Sequence, residues 1–273
     1  MSDDLVLFAG SVPEGYREYL EPVIFRPWAE MMISRVHITE GHTVLDVAAG
    51  TGVVSRAAAA RAGATGRVVA SDISAAMLEH VAVAYPPGGA PLETLVCSAT
   101  ALELPDESVD TVLCQQGLPF VPDRAGALKE MARVLRPGGM AGVAVWQLSD
   151  RVEPFAVYAE ALEACGVPEP FPHAYDTSVF TMAAEEVGEV FGAAGFEDVD
   201  VRLEQLVLDW PSVGRAVGGI AGTPYGPVLA GLDDEVRRAV LDELEKAMTG
   251  PVGDPVAHVM VAVLASGRRP VGS

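Results

Sequence analysis

Two carboxylates and a turn of small residues are the groups whose types and spacing predict chemistry in this 273-residue chain. Asp46 lies near the end of a short apolar run, and that run leads directly into Ala48, Ala49, Gly50 and Gly52. Small residues let the main chain turn sharply and approach a ligand, and the helix that follows presents free N–H groups. Asp72 ends the next apolar run, where a carboxylate can accept hydrogen bonds from both hydroxyls of a ribose.

The position of Asp46 separates two classes of ligand. The dinucleotide fingerprint needs a third glycine three residues after the second one, and Ser55 stands there instead. A diphosphate would be repelled by the Asp46 carboxylate, whereas a ligand that carries a sulfonium and an ammonium would be attracted. The charge therefore favours the methyl donor S-adenosylmethionine over a nicotinamide dinucleotide.

Alternating apolar runs and helical stretches must position these groups. Nearly all-apolar strands that alternate with helices indicate a parallel sheet covered on both faces. We therefore expect an α/β fold with a Rossmann-like, doubly wound, mostly parallel seven-stranded sheet and helical cap insertions. Its predicted strands are 43–47, 67–72, 92–97, 109–114, 140–146, 199–208 and 256–265. Its predicted helices include 54–62, a helix capped by Ser74 that runs through Val81, and 124–135.

The length and the 50% hydrophobic composition are sufficient for one large core, so we expect residues 1–273 to form a single domain. Prolines divide the first residues into short helical pieces, and residues 1–40 are predicted to be an N-terminal lid. Residues 41–146 are predicted to bind the cofactor. Residues 147–250 are predicted to supply cap helices and a sheet strand, followed by the final strand and tail at 251–273.

Charge and composition exclude several classes of partner and site. The chain has 38 acidic and 18 basic residues, and a net charge of −20 repels phosphate backbones and anionic membranes. The acidic start is unlike a secretory signal, and no run approaches the ~18 apolar residues of a membrane span. We expect a cytoplasmic protein without nucleic-acid partners or stable membrane association. No residues show metal-ligand spacing, so no metal is predicted.

Four motifs in order carry a resemblance to a known family. They are LDVAAGTG (45–52), ASDIS (70–74), SATALELPDESVD (98–110) and EMARVLRPGG (130–139). With these motifs the chain resembles the class I S-adenosylmethionine-dependent methyltransferases, in the branch that includes quinone-biosynthesis and small-molecule enzymes. The resemblance covers roughly residues 15–146 well and the rest weakly. It implies methyl transfer from S-adenosylmethionine.

The resemblance also implies roles for residues at matching positions. The methionine part of the cofactor would be held by main chain around Ala48, Ala49, Gly50 and Gly52, beside Asp46. The nucleoside and the amine would be contacted by Asp72 at the ribose, Ile73 and Met77 over the adenine, Ser98 and Ala99 at its edge, Gln115 near the amine, and Tyr19 in the lid. The chain departs from the family pattern at Ala48, where glycine is common, and at Ser98, where aspartate is common.

No motif in the sequence identifies the methyl acceptor, and only candidate residues can be named for it. Gln116 and His173 are the catalytic candidates, and Phe120 and Tyr175 join them as candidate substrate contacts. The segments that follow the fifth strand contain many aromatic residues, which favours an apolar small-molecule acceptor, although core packing explains aromatic residues equally well. We expect oxygen to be the methylated atom, ahead of carbon or nitrogen.

Three other functions remain open from the sequence. One is methylation of a quinone or lipid, although the N-terminal region lacks a basic amphipathic helix for membrane docking. Another is a protein that binds the cofactor while catalysing a rearrangement or cyclisation, or that only binds it. A nicotinamide-dependent reductase is the third, and Ser55 and Asp46 argue against it. A homodimer is compatible with all of these functions.

Overall fold

The computed structural model describes residues 12–170 and 176–272, and within them an eight-stranded sheet forms the centre of the fold. Its strands are β1 (Thr43–Val47), β2 (Arg67–Asp72), β3 (Leu92–Val96), β4 (Val109–Gln115), β5 (Leu135–Gln147), β6 (Thr181–Met182), β7 (Glu197–Val207) and β8 (Val259–Arg268).

The strand order is β3-β2-β1-β4-β5-β8-β7, and the two-residue β6 pairs with β5. Strands β1 to β5 pair in parallel, whereas β8 runs antiparallel to β5. The central strands are nearly continuous apolar runs with buried side chains, as expected for parallel strands covered on both faces. The predicted Rossmann-like, mostly parallel sheet is therefore confirmed, and β6 adds a short strand to the seven.

The described residues also form helices. They are α1 (Val12–Gly15), a π-type helix (Tyr16–Phe25), α2 (Arg26–Ile33), α3 (Val53–Ala62), α4 (Ala75–Leu78), α5 (Arg124–Val134), α6 (Phe155–Ala164), α7 (Ala184–Ala193), α8 (Val213–Gly218), α9 (Tyr225–Gly231) and α10 (Asp234–Met248). Three-residue or four-residue 3₁₀ turns lie at Leu118–Phe120, Thr177–Val179 and Gly219–Gly222.

Local sequence sets where the helices that border the sheet's carboxyl edge begin. Helix α3 follows Gly52, which adopts the left-handed conformation at its N-cap. The Ser74 hydroxyl accepts a hydrogen bond from Met77 N at the start of α4, and the Asp123 carboxylate accepts one from Gly126 N at the start of α5. Such side-chain caps satisfy N–H groups that have no partner inside the helix.

Three of the elements predicted above differ from the sequence-based prediction by three residues or more at an end, and the others differ by two residues at most. Strand β5 begins at Leu135 rather than at residue 140, because Leu135 already pairs with Val109 before an irregularity shifts the register. Helix α4 ends at Leu78 and turns follow it, so the predicted continuation through Val81 is wrong. Strand β8 begins at Val259 instead of residue 256. Each error lies at an element end, where hydrogen-bond pairing rather than apolar pattern decides the boundary.

The chain divides into two compact units. The sheet unit contains the described parts of 26–148, 180–204 and 262–273, and the helical unit contains those of 1–25, 149–179 and 205–261. The single-domain assignment stays a prediction.

The helical unit has its own internal packing. Helix α10 packs against α6, and its buried residues Val240, Leu244 and Met248 lie on one face. The fully buried Tyr158 donates its hydroxyl to Ala216 O over 2.8 Å. Three of the aromatic residues that follow the fifth strand, namely Tyr158, Trp210 and Tyr225, are buried. For Tyr158 the alternative explanation, core packing, therefore has direct support.

Over the described ranges, none of the helices has both the length and the apolar composition that a membrane crossing requires.

Candidate functional site

The predicted cofactor residues of the sheet unit converge at the carboxyl ends of β1, β2 and β4. Strand β1 lies between the other two: Asp46 pairs with Ala70 on β2 and with Leu113 on β4. Strands β2 and β3 lie on one side of β1, and strands β4 and β5 lie on the other side, so the strand order reverses next to β1. Ligands of open α/β sheets bind outside the carboxyl ends of the strands at such a point. The topology thus brings the turn after β1 next to the ends of both neighbouring strands.

The turn after β1 takes a backbone shape that favours small residues. Ala48, Gly50 and Gly52 have φ values of +54°, +54° and +86°, in the left-handed region. The turn is closed by Ala49 N, which donates to Ser71 O over 2.9 Å, and by Gly52 N, which donates to Ala49 O over 2.8 Å. Alanine at position 48 is therefore accommodated in a conformation that costs an L-residue of order 1 kcal/mol.

Two glycines bring neighbouring segments against this turn. A Cβ at Gly52 would lie 2.6 Å from Val81 Cγ1, so the chain after α4 packs directly on the turn. A Cβ at Gly117 would lie 2.3 Å from the Ala48 methyl carbon, so the segment after β4 also approaches it closely. Both distances are far shorter than a carbon–carbon contact, and glycine is needed at each position for steric reasons.

Asp72, the predicted ribose ligand, is tied to the turn across the sheet. Its Oδ2 accepts a hydrogen bond from Gly50 N over 2.9 Å, and its Oδ1 accepts one from Ser74 N over 2.8 Å. Burial raises the pKa of this carboxyl above its ordinary value, although the N–H bonds from Ser74 and Gly50 act to lower it. Because each oxygen has a further lone pair, the carboxylate can shape the turn and still accept hydrogen bonds from a ligand.

Asp46 is the other carboxylate at this edge, and it is only 1% exposed. Its Oδ2 accepts a hydrogen bond from Ser55 Oγ over 2.5 Å, whereas its Oδ1 is buried without a hydrogen-bond partner among the described residues. Burial raises the pKa of Asp46 to about 7, against the lowering effect of the Ser55 hydrogen bonds. A buried carboxylate oxygen without a partner is costly unless a cation or a proton satisfies it.

The predicted adenine contacts lie around Asp72. Ile73 is 55% exposed at the carboxyl end of β2, whereas Met77 is buried and its Cε would lie 3.4 Å from a Cβ at Gly50. Ser98 lies in the turn after β3, and its hydroxyl bonds to Thr100 Oγ1 over 2.9 Å. The half-buried Ala99 follows it and packs against the main core cluster. Their roles toward a nucleoside stay predictions.

The end of β4 holds the two predicted glutamines. Gln115 is buried and pairs with Ala144 of β5. Gln116 adopts a left-handed φ of +57°, and its Oε1 accepts a hydrogen bond from Trp146 N over 2.8 Å. Its Nε2 is buried with no hydrogen-bond partner in the described part of the chain. Phe120 ends the 3₁₀ turn that follows and is 36% exposed.

The remaining predicted site residues lie elsewhere. Tyr19 belongs to the helical unit, where the Arg215 guanidinium lies 4.5 Å from its ring centroid and Glu18 accepts hydrogen bonds from the same guanidinium. Its role as a lid over the cofactor stays a prediction. His173 and Tyr175 lie outside the described residues. No cluster of three or more potential metal ligands occurs in 12–170 and 176–272.

Sequence reasoning missed two residues of this edge. Ser55 counted only as a missing third glycine, yet it is the hydrogen-bond donor to Asp46. Gly117 counted only as part of a loop, yet it admits the Ala48 methyl group. A serine in the first turn of α3, on the side of the preceding strand, is a sequence signal that could have identified Ser55. No sequence signal marks the second, since residues 48 and 117 meet only in the folded sheet.

Comparison with known proteins agrees with this geometry. Residues 45–143 match the methyltransferase domain family. The ubiquinone/menaquinone biosynthesis C-methyltransferase of Bordetella avium is 40% identical over 116 residues, which cover 42% of this chain and 45% of that protein. The corresponding enzyme of Burkholderia mallei is 34% identical over 159 residues, or 58% of each chain. The chain spans about half the length of the curated relatives it matches.

Solved structures share the fold at lower identity. The YcgJ protein of Bacillus subtilis has a TM-score of 0.53 at 19% identity, covering 89% of this chain and 98% of its own. A Haemonchus contortus phosphoethanolamine N-methyltransferase in complex with S-adenosyl-L-methionine has a TM-score of 0.55 at 15% identity, with 89% and 52% covered. The [4+2]-cyclase SpnF has a TM-score of 0.52 at 24% identity, with 90% and 82% covered. These likenesses show the fold, and the fold hosts more than one kind of reaction.

Three observations support the same family resemblance. They are the sheet topology, the small-residue turn between two carboxylates and the sequence matches. The predicted resemblance to the class I S-adenosylmethionine-dependent methyltransferases is confirmed, and residues 45–143 are the part of the chain that matches the methyltransferase domain family.

Proposed function

We propose that this chain transfers a methyl group from S-adenosylmethionine to a small, apolar metabolite, with oxygen as the acceptor atom. The observation that carries the proposal is the pair of carboxylates, buried Asp46 and half-buried Asp72, on either side of the small-residue turn. Asp46 Oδ1 has no partner among the described residues, and Asp72 is held by the turn itself. This arrangement suits a ligand with a cation at one end and a ribose at the other.

The residues present fit such a cofactor. Backbone shape at Ala48, Gly50 and Gly52 leaves the turn lined by small groups, which permits close approach of a ligand to the main chain. The buried Asp46 oxygen suits the ammonium group of the methionine part, and a diphosphate would meet repulsion there. Asp72 suits the ribose hydroxyls because both of its oxygens keep lone pairs free.

The chain's own contribution to the reaction is alignment. S-adenosylmethionine supplies a methyl group that is already activated by its sulfonium. Holding donor and acceptor in line can contribute several kcal/mol without a general base, because a positioned pair has already lost its translational and rotational freedom. Gln116 is the residue that we propose orients the acceptor, since the Trp146 N–H fixes its Oε1 and leaves the Nε2 hydrogens to a ligand oxygen.

Asp72→Ala is expected to weaken binding of S-adenosylhomocysteine by about 10- to 100-fold, because charge-assisted hydrogen bonds to the ribose are lost. Isothermal titration calorimetry of the full chain measures this effect, with circular dichroism to verify folding. Glu93→Ala is the matched control, since Glu93 lies on the neighbouring strand and its carboxylate pairs with Arg67 at the other end of β2. Unchanged affinity in Asp72→Ala, or tight binding of NADH instead, would overturn the assignment.

Gln116→Glu is expected to lower kcat/KM for the acceptor by about 10- to 100-fold while cofactor affinity stays the same. The glutamate keeps an oxygen for the Trp146 N–H but removes both Nε2 hydrogens. Gln147→Glu, at the half-buried last residue of β5, is the control for introducing a carboxylate near this edge. The acceptor is first found by incubating labelled donor with a metabolite extract. A fall in cofactor affinity equal to the fall in kcat/KM would show that Gln116 does not contact the acceptor.

Carbon methylation of a quinone precursor is the second candidate, because the matched relatives are named ubiquinone/menaquinone biosynthesis C-methyltransferases. The same labelling experiment separates the two. Strong acid cleaves the bond between a labelled methyl group and an oxygen and so releases the label. It does not cleave the bond between a methyl group and a ring carbon. We further propose that the protein acts in the cytoplasm, as a monomer or a homodimer. We propose that it does not bind nucleic acid, because its net charge of −20 repels phosphate.

A further inference from the structure

The contact between Ser55 and Asp46 is a polar interaction at the carboxyl edge that neither the sequence motifs nor the comparisons assign. Ser55 is fully buried in the first turn of α3, and its hydroxyl donates to Asp46 Oδ2 over 2.5 Å. The other Asp46 oxygen, Oδ1, is buried and unpartnered among the described residues. One oxygen of this carboxylate is thus fixed by the protein, and the second is left for a different group.

We propose that Ser55 is a positioning residue that orients the Asp46 carboxylate, so that Oδ1 faces the cationic amine of the cofactor. The inference rests on the proposed function and goes beyond it, because it assigns a role to Ser55 and makes cofactor binding depend on the ionisation of Asp46. Where Asp46 is protonated before the cofactor binds, its proton passes to solvent and the carboxylate pairs with the ammonium. The atoms and charges balance without any further reactant.

The groups around Asp46 support this arrangement. Burial of the site and the negative charge of Asp72 on β2 raise the pKa of Asp46, whereas the Ser55 hydrogen bonds and the Arg56 guanidinium on α3 act to lower it. Arg56 itself donates to Thr51 O over 2.6 Å and to Val81 O over 3.1 Å. Cys114 on β4 faces Asp46, and burial raises the pKa of its thiol to about 12, so it stays neutral near pH 7.

A cation that binds only the ionised carboxylate must bind more tightly as the carboxyl loses its proton. We therefore expect the affinity for S-adenosylhomocysteine to rise between pH 5.5 and pH 7.5 by about tenfold, within the range in which the ligand's amine stays charged. Removing the Ser55 donor stabilises the protonated form of Asp46 relative to the ionised form. In Ser55→Ala the midpoint of this rise is expected to move upward by about one pH unit.

Calorimetric titration of the full chain with S-adenosylhomocysteine from pH 5.5 to about pH 8.5, a range that includes the shifted midpoint expected for Ser55→Ala, measures affinity. Repeating it in buffers of different ionisation enthalpy measures proton release. Ser55→Thr, which retains the hydroxyl, is expected to restore the midpoint. Ser71→Ala is the matched buried control, since the Ser71 hydroxyl donates to the Asp46 main-chain oxygen over 3.2 Å and does not touch its carboxylate. It is expected to leave the midpoint where it is.

Different titration results would contradict the proposed role of Ser55 and the proposed methyltransferase function. A Ser55→Ala profile that is weaker at every pH by the same factor, with its midpoint unchanged, indicates a purely structural serine and overturns the inference. An equal shift in Ser71→Ala overturns it as well. In both cases binding by the natural chain leaves the proposed function standing. If the natural chain binds neither S-adenosylhomocysteine nor S-adenosylmethionine at any pH, the proposed function fails and the inference fails with it.

Discussion

Replacing Asp46 with asparagine is expected to weaken S-adenosylmethionine binding by about 10- to 100-fold at pH 8 while making the free protein more stable. Binding weakens because the amide carries no charge for the ammonium group. Stability rises because a fully buried carboxylate with one unpartnered oxygen is replaced by a neutral group of the same shape.

The pH dependence of stability follows from the raised pKa of Asp46. In the folded chain this carboxyl has a pKa of about 7, against the ordinary value of 3.8. Between these values the folded state holds a proton that the unfolded state has released. The contribution to stability is therefore complete below about pH 4 and is lost as pH rises through 7. The loss amounts to about 4 kcal/mol at most.

Urea unfolding at pH 5 and pH 8, in the absence of cofactor, measures the stability effect. The free energy of unfolding of the natural chain is expected to fall between pH 5 and pH 8, and that of Asp46→Asn to fall much less. The variant should therefore exceed the natural chain in stability by the largest amount at pH 8. Calorimetry at pH 8 measures the loss of affinity. A variant that is less stable than the natural chain at pH 8 would show that Asp46 already has a favourable partner in the free protein.

Asp110→Asn is the informative control for Asp46→Asn. Asp110 lies at the opposite end of the sheet, where its Oδ2 accepts from Thr43 N over 2.8 Å and its Oδ1 accepts from Arg136 over 2.5 Å. Partial burial acts to raise the pKa of Asp110, but these hydrogen bonds outweigh it and the pKa is lowered. Its ionised form therefore stabilises the fold above the ordinary pKa, so Asp110→Asn is expected to lose stability and to keep cofactor affinity.

Gly117→Ala is expected to destabilise the protein by about 1 to 3 kcal/mol and to weaken cofactor binding, because the added methyl overlaps the turn after β1. A Cβ at this position lies 2.3 Å from the Ala48 Cβ. The backbone of Gly117 has a φ of −93° and a ψ of −35°, which alanine adopts readily. The cost is therefore one of contact between two side chains and not one of backbone strain.

The double variant Ala48→Gly/Gly117→Ala tests that explanation. Without the Ala48 methyl, the nearest atoms to the new Cβ are Cys114 Sγ at 3.3 Å and Ala48 Cα at 3.7 Å, which require only a small adjustment. The double variant is expected to regain most of the lost stability, and a double-mutant cycle of denaturant unfolding measures the coupling. Ala48→Gly alone is expected to change stability little, because relief of the left-handed φ offsets the flexibility of glycine. Additive effects would contradict the proposed contact.

The sequence determined the fold class because its apolar runs have lengths and spacing that only a covered parallel sheet satisfies. Nearly every element between residues 43 and 147 lies where that pattern placed it. The errors fall at ends such as Leu135 and Leu78, where pairing with a distant strand or a local turn decides the boundary. The small-residue turn and Asp72 were also readable, since both follow from a strand ending at a short motif.

Only the tertiary structure decided which side chains meet across that turn. Asp46 and Ser55 are nine residues apart, but their bond depends on how α3 leaves the turn after β1. Ala48 and Gly117 come together because β1 and β4 are neighbours in the sheet although two other strands lie between them in the chain. A linear sequence specifies the residue types and the strand periods, whereas contacts across strands depend on sheet order and register, which are set by the packing of the whole core.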